Sequence, residues 1–352
     1  LARFASALSA GDPAEVAGLF AVDGFWRDLV AFTWNLTTSE GRDQIADMLG
    51  ARLADTGPSN WVTAEPPTET PDGVAEAFVE FETQSGRGSA HLRLRPAADG
   101  NDEAWTLLTT LQELKGHEEP QGHGRPLGAV HGTDADRRSW AQKRDDEEAE
   151  LGRTAQPYAL IIGGGQGGIA LGARLRQLGV PSIVVDSHDR PGDQWRKRYK
   201  SLCLHDPVWY DHLPYLPFPE NWPVFAPKDK IGDWLEFYTR VMEVPYWSKT
   251  TCTGATYDEA AQRWTVELDR DGEQLTLHPT QLVLATGMSG KKNTPVFPGQ
   301  ELFAGEQHHS SEHPGPDAYA GKKVVVIGAN NSAHDICKAL VENGVDTTMV
   351  QR

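Results

Sequence analysis

Hydrophobic and polar positions follow two rhythms along the chain, and the changes of rhythm mark its parts. In GRDQIADMLGARL, Ile45, Met48, Leu49 and Leu53 recur at helical spacing, which predicts an amphipathic helix. Beyond it the period is two. Ala77, Val79 and Phe81 of VAEAFVEFETQ face one way and Glu76, Glu80 and Glu82 the other. HLRLR alternates leucine with charge, and Trp105, Leu107 and Leu111 share one side of WTLLTTLQELK. Helices followed by a run of antiparallel strands predict a small α+β unit over residues 1–115, a bent sheet wrapped by helices. Residues 116–156 lose both rhythms. GHEEPQGHGRPLG is turn-rich linker, and TDADRRSWAQKRDDEEAELGR predicts a solvated helix capped by Thr133 or Asp134.

From Tyr158 the pattern sharpens. YALII is a short buried strand, GGGQGG follows at once, IALGARLRQLG sets Leu171, Leu175 and Leu178 on one helical face, and PSIVVD is a second strand. This βαβ unit carries Gly163, Gly165 and Gly168 as its GxGxxG, with Gln166 and Gly167 between them. Gly163 allows the tight turn, Gly165 lets backbone approach a pyrophosphate, and Gly168 lets the helix sit close on the strand. The helix N-terminus then offers free N–H groups to phosphate. Asp186 ends the second strand, 23 residues beyond Gly163, where a carboxylate accepts from ribose hydroxyls. In that order these features point to a bound dinucleotide.

A second unit repeats the plan in KKVVVIG, ANNSAHDICKALVEN and VDTTMVQR. Gly328, Asn330 and Ala333 take the GxGxxA places, and Asn331 and Ser332 open the helix. Asn replaces the middle glycine, so we expect left-handed backbone at Asn330 and a side chain that crowds the pyrophosphate. The offset of Asp186 lands here on Gln351, with Arg352 next. A missing carboxylate beside a guanidinium suits a ribose 2′-phosphate, which favours NADP over NAD.

Charge removes several classes of partner. With 33 basic and 50 acidic residues, the net −17 opposes binding to nucleic acid or to an anionic membrane surface. No apolar run approaches the ~18 residues of a membrane span. Cys203, Cys252 and Cys337 lie far apart with no CxxC pair, so neither a disulfide scaffold nor a metal site is expected and a cytoplasmic location is. The chain opens on Leu1 and ends at Arg352 within a strand-like segment. We read it as a piece of a longer protein, not expected to turn over alone.

Four segments then carry a family resemblance. SHDRPGDQW resembles the Gly-Gly-x-Trp segment of class B flavin-dependent monooxygenases, with Gly192 matching the first glycine and Asp193 replacing the second. LCLHDP resembles the Leu-x-Leu-His-x-Pro stretch of the plant auxin-producing (YUCCA-type) members. FAGEQHHSS is similar to the fingerprint FxGxxxHSS at Phe303, Gly305 and His309, with His313 where the fingerprint ends in an aromatic. LVLATG, including Thr286, resembles the strand that closes the flavin domain.

The resemblance implies an α/β architecture: a Rossmann-type FAD domain over residues 157–320 and the start of an inserted NAD(P)-binding Rossmann domain over 321–352. It puts Gln194 and Trp195 beside the flavin and adds His205 and Thr286 to the cofactor-binding set. NADPH would reduce FAD, the reduced flavin would capture O2 as a C4a-(hydro)peroxide, and one oxygen atom would pass to a small organic substrate. Amines, sulfides, an indole-3-pyruvate-like 2-oxo acid and Baeyer–Villiger insertion into a ketone stay open as substrates and subclasses. His309 is a candidate base, although its fingerprint position suits a brace between domains. A flavin disulfide reductase would need a close cysteine pair, and the intact first motif with Asp186 argues against a non-catalytic nucleotide-binding protein. WRDLVAFTWNLTT after the opening helices resembles the NTF2-like (SnoaL-like) cone fold. That implies a pocket lined by Asp28, Trp26 and Trp34 and a dimerisation or packing role, with a homodimer as one arrangement.

Overall fold

In the computed structural model, which describes residues 1–97, 100–288 and 290–351, the chain divides into two units, Leu1–Arg125 and Pro126–Arg352. The first begins with α1 (Ala2–Ala10) and α2 (Pro13–Gly18), the latter capped by the Asp12 carboxylate. β1 (Phe20–Leu29), β2 (Leu36–Glu40), α3 (Gly41–Thr56) and β3 (Ser59–Thr63) follow. β4 (Thr68–Glu69), β5 (Ala75–Glu82), β6 (Gly86–Pro96) and β7 (Asp102–Leu114) complete the unit. The sheet runs β2-β1-β7-β6-β5-β3, with β4 beside β5. It is antiparallel except that β1 and β7 are parallel. As the periodicity predicts, Ile45, Leu49 and Leu53 are buried against the sheet, where they meet Val79 and Phe81.

Two residues depart from the reading of the sequence. The β6–β7 ladder slips between Arg93↔Thr106 and Leu94↔Ala104. This bulge lets Ala104 and Leu107 both point inward and turns Trp105 out beneath the Arg93 guanidinium, 4.8 Å from its ring centroid. Asp28 lines no pocket either. It is 1% exposed, and its carboxylate accepts from the N–H groups of Ala31, Phe32 and Thr33 and from the hydroxyls of Thr33 and Thr109. Trp26 is fully buried and donates to the same Thr109, while Trp34 is exposed. Phe4, Phe20, Trp26, Phe32 and Phe81 fill the space inside the sheet.

The second unit opens with α4 (Trp140–Glu150), which starts later than Thr133 or Asp134. Ser139 and Gln142 form a reciprocal capping box there. The helix buries no residue and is held by charge: Glu147 pairs with Arg176, and Trp140 and Arg144 both reach Glu243. Then come β8 (Ala159–Ile162), α5 (Gln166–Gln177), β9 (Ser182–Val185), α6 (Asp193–Arg196), α7 (Lys228–Val241) and β10 (Tyr246–Trp247). β11 (Thr250–Asp258), β12 (Arg263–Arg270) and β13 (Glu273–Leu277) form an antiparallel meander before β14 (Gln281–Leu284). The Rossmann-like parallel sheet runs β10-β9-β8-β14. β15 (Lys323–Ile327), α8 (Asn331–Glu342) and β16 (Asp346–Val350) make the second βαβ, its strands parallel.

α5 buries the predicted leucines only in part: Leu171 and Leu175 are half-buried against the core. Its inner face is Gly168, Ile169, Gly172 and Ala173, and Leu178 is exposed. The reason is close approach: a Cβ on Gly172 would lie 2.7 Å from Val244 and 2.8 Å from Val184. Among the described residues, no helix is long and apolar enough to cross a membrane.

Candidate functional site

The first turn is built by backbone that only glycine can supply. β8 ends at Ile162, and Gly163 has φ +110° while its N–H donates to Val185 O at 2.9 Å. A Cβ on Gly163 would stand 2.4 Å from the Ala285 carbonyl oxygen, and one on Gly168 only 1.9 Å from the Gly163 carbonyl oxygen. Gly165 caps α5 in extended backbone, φ −77° and ψ −172°. Gln166 and Gly167, exposed, form the first turn of the helix. The N–H of Gly164 donates to Asp186 Oδ2 at 2.7 Å, so the turn itself orients the carboxylate. Asp186 Oδ1 accepts from the His188 N–H at 2.9 Å and meets His188 Nδ1 at 2.7 Å. A carboxylate has about four acceptor directions, which leaves room for one ribose hydroxyl.

Two side chains line the mouth of this turn. A Cβ on Gly165 would meet only Gln194 Nε2, at 3.5 Å. Gln194 Oε1 is buried with no hydrogen-bond partner among the described residues. Buried acceptors are rarely left unpaired, so Gln194 Oε1 is an orphan close to the turn, while Nε2 is the Gln194 atom nearest Gly165. Trp195 Nε1 donates to Gln166 Oε1 at 3.2 Å. The departure at Asp193 has its own compensation: its buried carboxylate pairs with Arg190 and Arg196 at 3.2 and 3.0 Å. Gly192 keeps φ +88°, with Gly232 O 2.1 Å from where a Cβ would be. Thr286 is exposed just after β14, its backbone N 3.1 Å from the same Gly163 Cβ position. Tyr246 carries no motif and was invisible to sequence reading. Its hydroxyl donates to Gly164 O at 3.2 Å, and burial holds the phenol far above its ordinary range, so it stays a donor.

The second turn is aligned with the first by one hydrogen bond. Gly328, φ +132°, donates its N–H to Val350 O at 2.9 Å, as Gly163 does to Val185, which sets Gln351 where Asp186 stands. Asn330 is not left-handed. Its φ −85° and ψ 173° are those of an extended helix cap, matching Gly165, and any residue adopts that backbone. Ala333 takes the place of Gly168 and is buried. Arg352 lies outside the described residues.

His205 joins this second turn. Its Nε2 is 2.9 Å from Asp335 Oδ2 and its Nδ1 is 2.9 Å from Asn331 Nδ2. Tyr199 donates to the same Asp335 oxygen at 2.8 Å, and burial, with Asp335 beside it, pushes the phenol up to about 12. Ser332 hydrogen-bonds that phenol too. Tyr199 and Leu202 pack on Ile336, Leu340 and Tyr319.

The fingerprint histidines do local work. The His309 ring caps its own 3₁₀ turn, accepting from the Ser311 N–H at 3.2 Å. His308 hydrogen-bonds the Tyr319 hydroxyl. His313 is buried and lies flat on Tyr319, ring centroids 5.5 Å apart at 1°. Burial and the neighbouring His308 hold its pKa below the ordinary value. A neutral imidazole thus fills the place of an aromatic.

These two turns belong to a known family. The sequence model of the pyridine nucleotide-disulphide oxidoreductase family matches residues 160–352, more than half of the chain, and the chain belongs to that family. It is 38% identical over 210 residues to indole-3-pyruvate monooxygenase YUCCA1 of Oryza sativa subsp. japonica, covering 59% of this chain and 51% of the relative. It is 33% identical over 195 residues to probable indole-3-pyruvate monooxygenase YUCCA9 of Arabidopsis thaliana, covering 55% and 46%. A solved flavin-containing monooxygenase from Stenotrophomonas maltophilia superposes with TM-score 0.51 at 28% identity, over 56% of this chain and 58% of that one. The chain spans about half the length of the curated relatives it matches.

Proposed function

We propose that residues 157–352 are the dinucleotide-binding part of a class B flavin-dependent monooxygenase that uses FAD and NADPH to place one oxygen atom of O2 in a small organic substrate. The observation that carries this reading is the pair of strand–glycine–helix turns within one unit, because two dinucleotide sites imply electron transfer between two cofactors. The first turn fits FAD. Gly165, Gln166 and Gly167 offer the α5 N-terminus to the pyrophosphate, Asp186 takes a ribose hydroxyl, and Gln194, whose Nε2 lies nearest Gly165, flanks the dinucleotide. Trp195 and Thr286 flank it. The second turn, at Gly328, Asn330, Asn331 and Ser332, holds NADPH. Gln351 in place of a carboxylate and Arg352 beside it suit the 2′-phosphate. The flavin, when bound, supplies the redox and oxygen-transfer chemistry; the chain binds, orients and keeps water away. Cys203, Cys252 and Cys337 are all free, so dithiol chemistry is not part of this reading.

The identity to relatives named for indole-3-pyruvate makes an aromatic 2-oxo acid the first substrate class to test, with amines, sulfides and ketones after it. For the first unit we propose an NTF2-like fold in a packing or dimerisation role, supported by the exposed Phe25, Leu36 and Phe78. The free cysteines favour the cytoplasm.

Gly165→Val in the full-length protein tests the core of this reading. Its extended backbone accepts valine and only the Gln194 amide is near, so the protein folds but loses its yellow flavin. Stoichiometric FAD on the folded variant overturns the assignment of the first turn.

A further inference from the structure

Asn331 opens α8 and is exposed, and a terminal carboxamide can present either its oxygen or its nitrogen outward. Here the choice is dictated from behind. Asp335 Oδ2 already accepts from Tyr199, whose phenol burial keeps protonated. An ionised carboxylate only accepts, so the His205 nitrogen facing it, Nε2 at 2.9 Å, carries the proton. The group that faces the other ring nitrogen is the Asn331 amide nitrogen, which only donates, so that ring nitrogen is an acceptor. Nδ1 therefore receives the Asn331 N–H at 2.9 Å. The amide oxygen has no partner among the described residues and faces away from the relay. Asn331 and Asp335 are i and i+4 on one helix face, so one imidazole spans both.

We propose that Asp335 and His205 are positioning residues for the second dinucleotide site: they order the hydrogen bonds so that Asn331 offers a carbonyl oxygen to a neutral donor on the nucleotide. The inference rests on the reading that α8 receives a nicotinamide dinucleotide. An outward carbonyl repels phosphate oxygens and attracts N–H or O–H. Two groups on the nucleotide have that chemistry, a ribose hydroxyl and the nicotinamide carboxamide. The relay has a second effect. Tyr199 and His205 lie in the segment that follows the first turn, so the orientation of a group at the second turn depends on chain belonging to the first.

The tautomer is read directly in the unsubstituted protein with ¹⁵N-labelled histidine. We expect His205 as the neutral Nε2–H form; a Nδ1–H form, or the doubly protonated ring at neutral pH, overturns the relay whether or not nucleotide binds. NADP+ affinity is then titrated for the full-length protein and for Asp335→Asn, Asn331→Ala and the double variant, with thermal unfolding to confirm that each is folded. An amide at 335 can face the ring with either group, so the tautomer is released. We expect Asp335→Asn and Asn331→Ala each to weaken NADP+ by about 2–13-fold, one neutral hydrogen bond's worth. The double variant should be no weaker than Asn331→Ala alone, because Asp335 acts through Asn331. Additive losses, or an Asp335→Asn protein with unchanged affinity, overturn the proposal. Absence of NADP+ binding in the unsubstituted protein fails the functional reading instead, and the tautomer still reports on the relay. The 3-acetylpyridine analogue of NADP+, which lacks the carboxamide N–H, separates the two donors. If Asn331→Ala no longer weakens binding with the analogue, the carboxamide is the donor; if it still does, the ribose is.

Discussion

The two turns share a plan and differ in what enforces it. At the first, β8 lies between β9 and β14, so Gly163 is pressed against Ala285 and Gly168 against Gly163 itself. At the second, β15 pairs only with β16 among the described residues. Nothing lies within 4 Å of a Cβ on Gly328, and an alanine stands where Gly168 was. The backbone itself is shared, with positive φ at Gly163 and Gly328 and extended conformation at Gly165 and Asn330. Identical letters in a motif thus answer to different forces. One glycine is required by its neighbours, another by its own φ, and a third only by what must pass in front of it.

Substitution can break this contrast, beginning where the clash is largest. Gly168→Ala sets a methyl 1.9 Å from a backbone oxygen and should destabilise the second unit by about 3 kcal/mol or more, since packed backbone cannot step aside. The reciprocal Ala333→Gly should cost only about 1 kcal/mol, the helix propensity difference. Equal urea midpoints for the two variants would erase the difference between the turns. A finer comparison is Gly163→Ala against Gly328→Ala. Both carry the strain of positive φ, about 1–3 kcal/mol, but only the first adds the contact with Ala285 O at 2.4 Å. We expect Gly163→Ala to unfold at clearly lower denaturant, and a larger loss at Gly328 would show that the second turn is the tighter one.

The smallest effect is a matter of pH. Burial holds the His313 pKa below its ordinary 6.5, so the unfolded chain binds the proton more readily than the folded one. Stability from this group is therefore complete above pH 6.5 and falls as pH drops through and below it. Phe at 313 keeps the stack on Tyr319 without titrating. His313→Phe should flatten that part of the acid limb of a stability–pH curve; an unchanged limb would place the proton elsewhere.

What could be read from the sequence was what the chain decides locally. The positive φ of Gly163 and Gly328, the inward Val79 and Phe81, and the helix around Ile45 and Leu49 all follow from a few neighbours. The fully buried face of α5 did not, because the leucine spacing marks the half-buried Leu171 and Leu175, while Gly168, Ile169, Gly172 and Ala173 lie innermost. Trp105 was misplaced by a bulge that shifts parity without changing composition. The β11–β13 meander went unread, although Asp271 and Gly272, φ 52° and 91°, are the Asp-Gly pair that favours a type I′ hairpin. Asp335 was beyond reach altogether: it meets Tyr199 and His205 across 136 and 130 residues, and no local pattern encodes a partner that distant.

The carboxylate of Asp28 has a consequence in time. It holds a turn bracketed by Val30 at φ 58° and Trp34 at φ 55°, backbone that costs a non-glycine residue roughly 1–2 kcal/mol. A turn in that conformation would ordinarily fray in microseconds. Here the amide hydrogens of Ala31, Phe32 and Thr33 all end on one carboxylate, which is tied through Thr109 to the parallel strand beside it. Opening any one of them takes a hydrogen bond from a buried carboxylate. They should exchange with solvent together, at the pace of the β1–β7 pair rather than of a loop, and the turn becomes one of the last parts of the first unit to come apart.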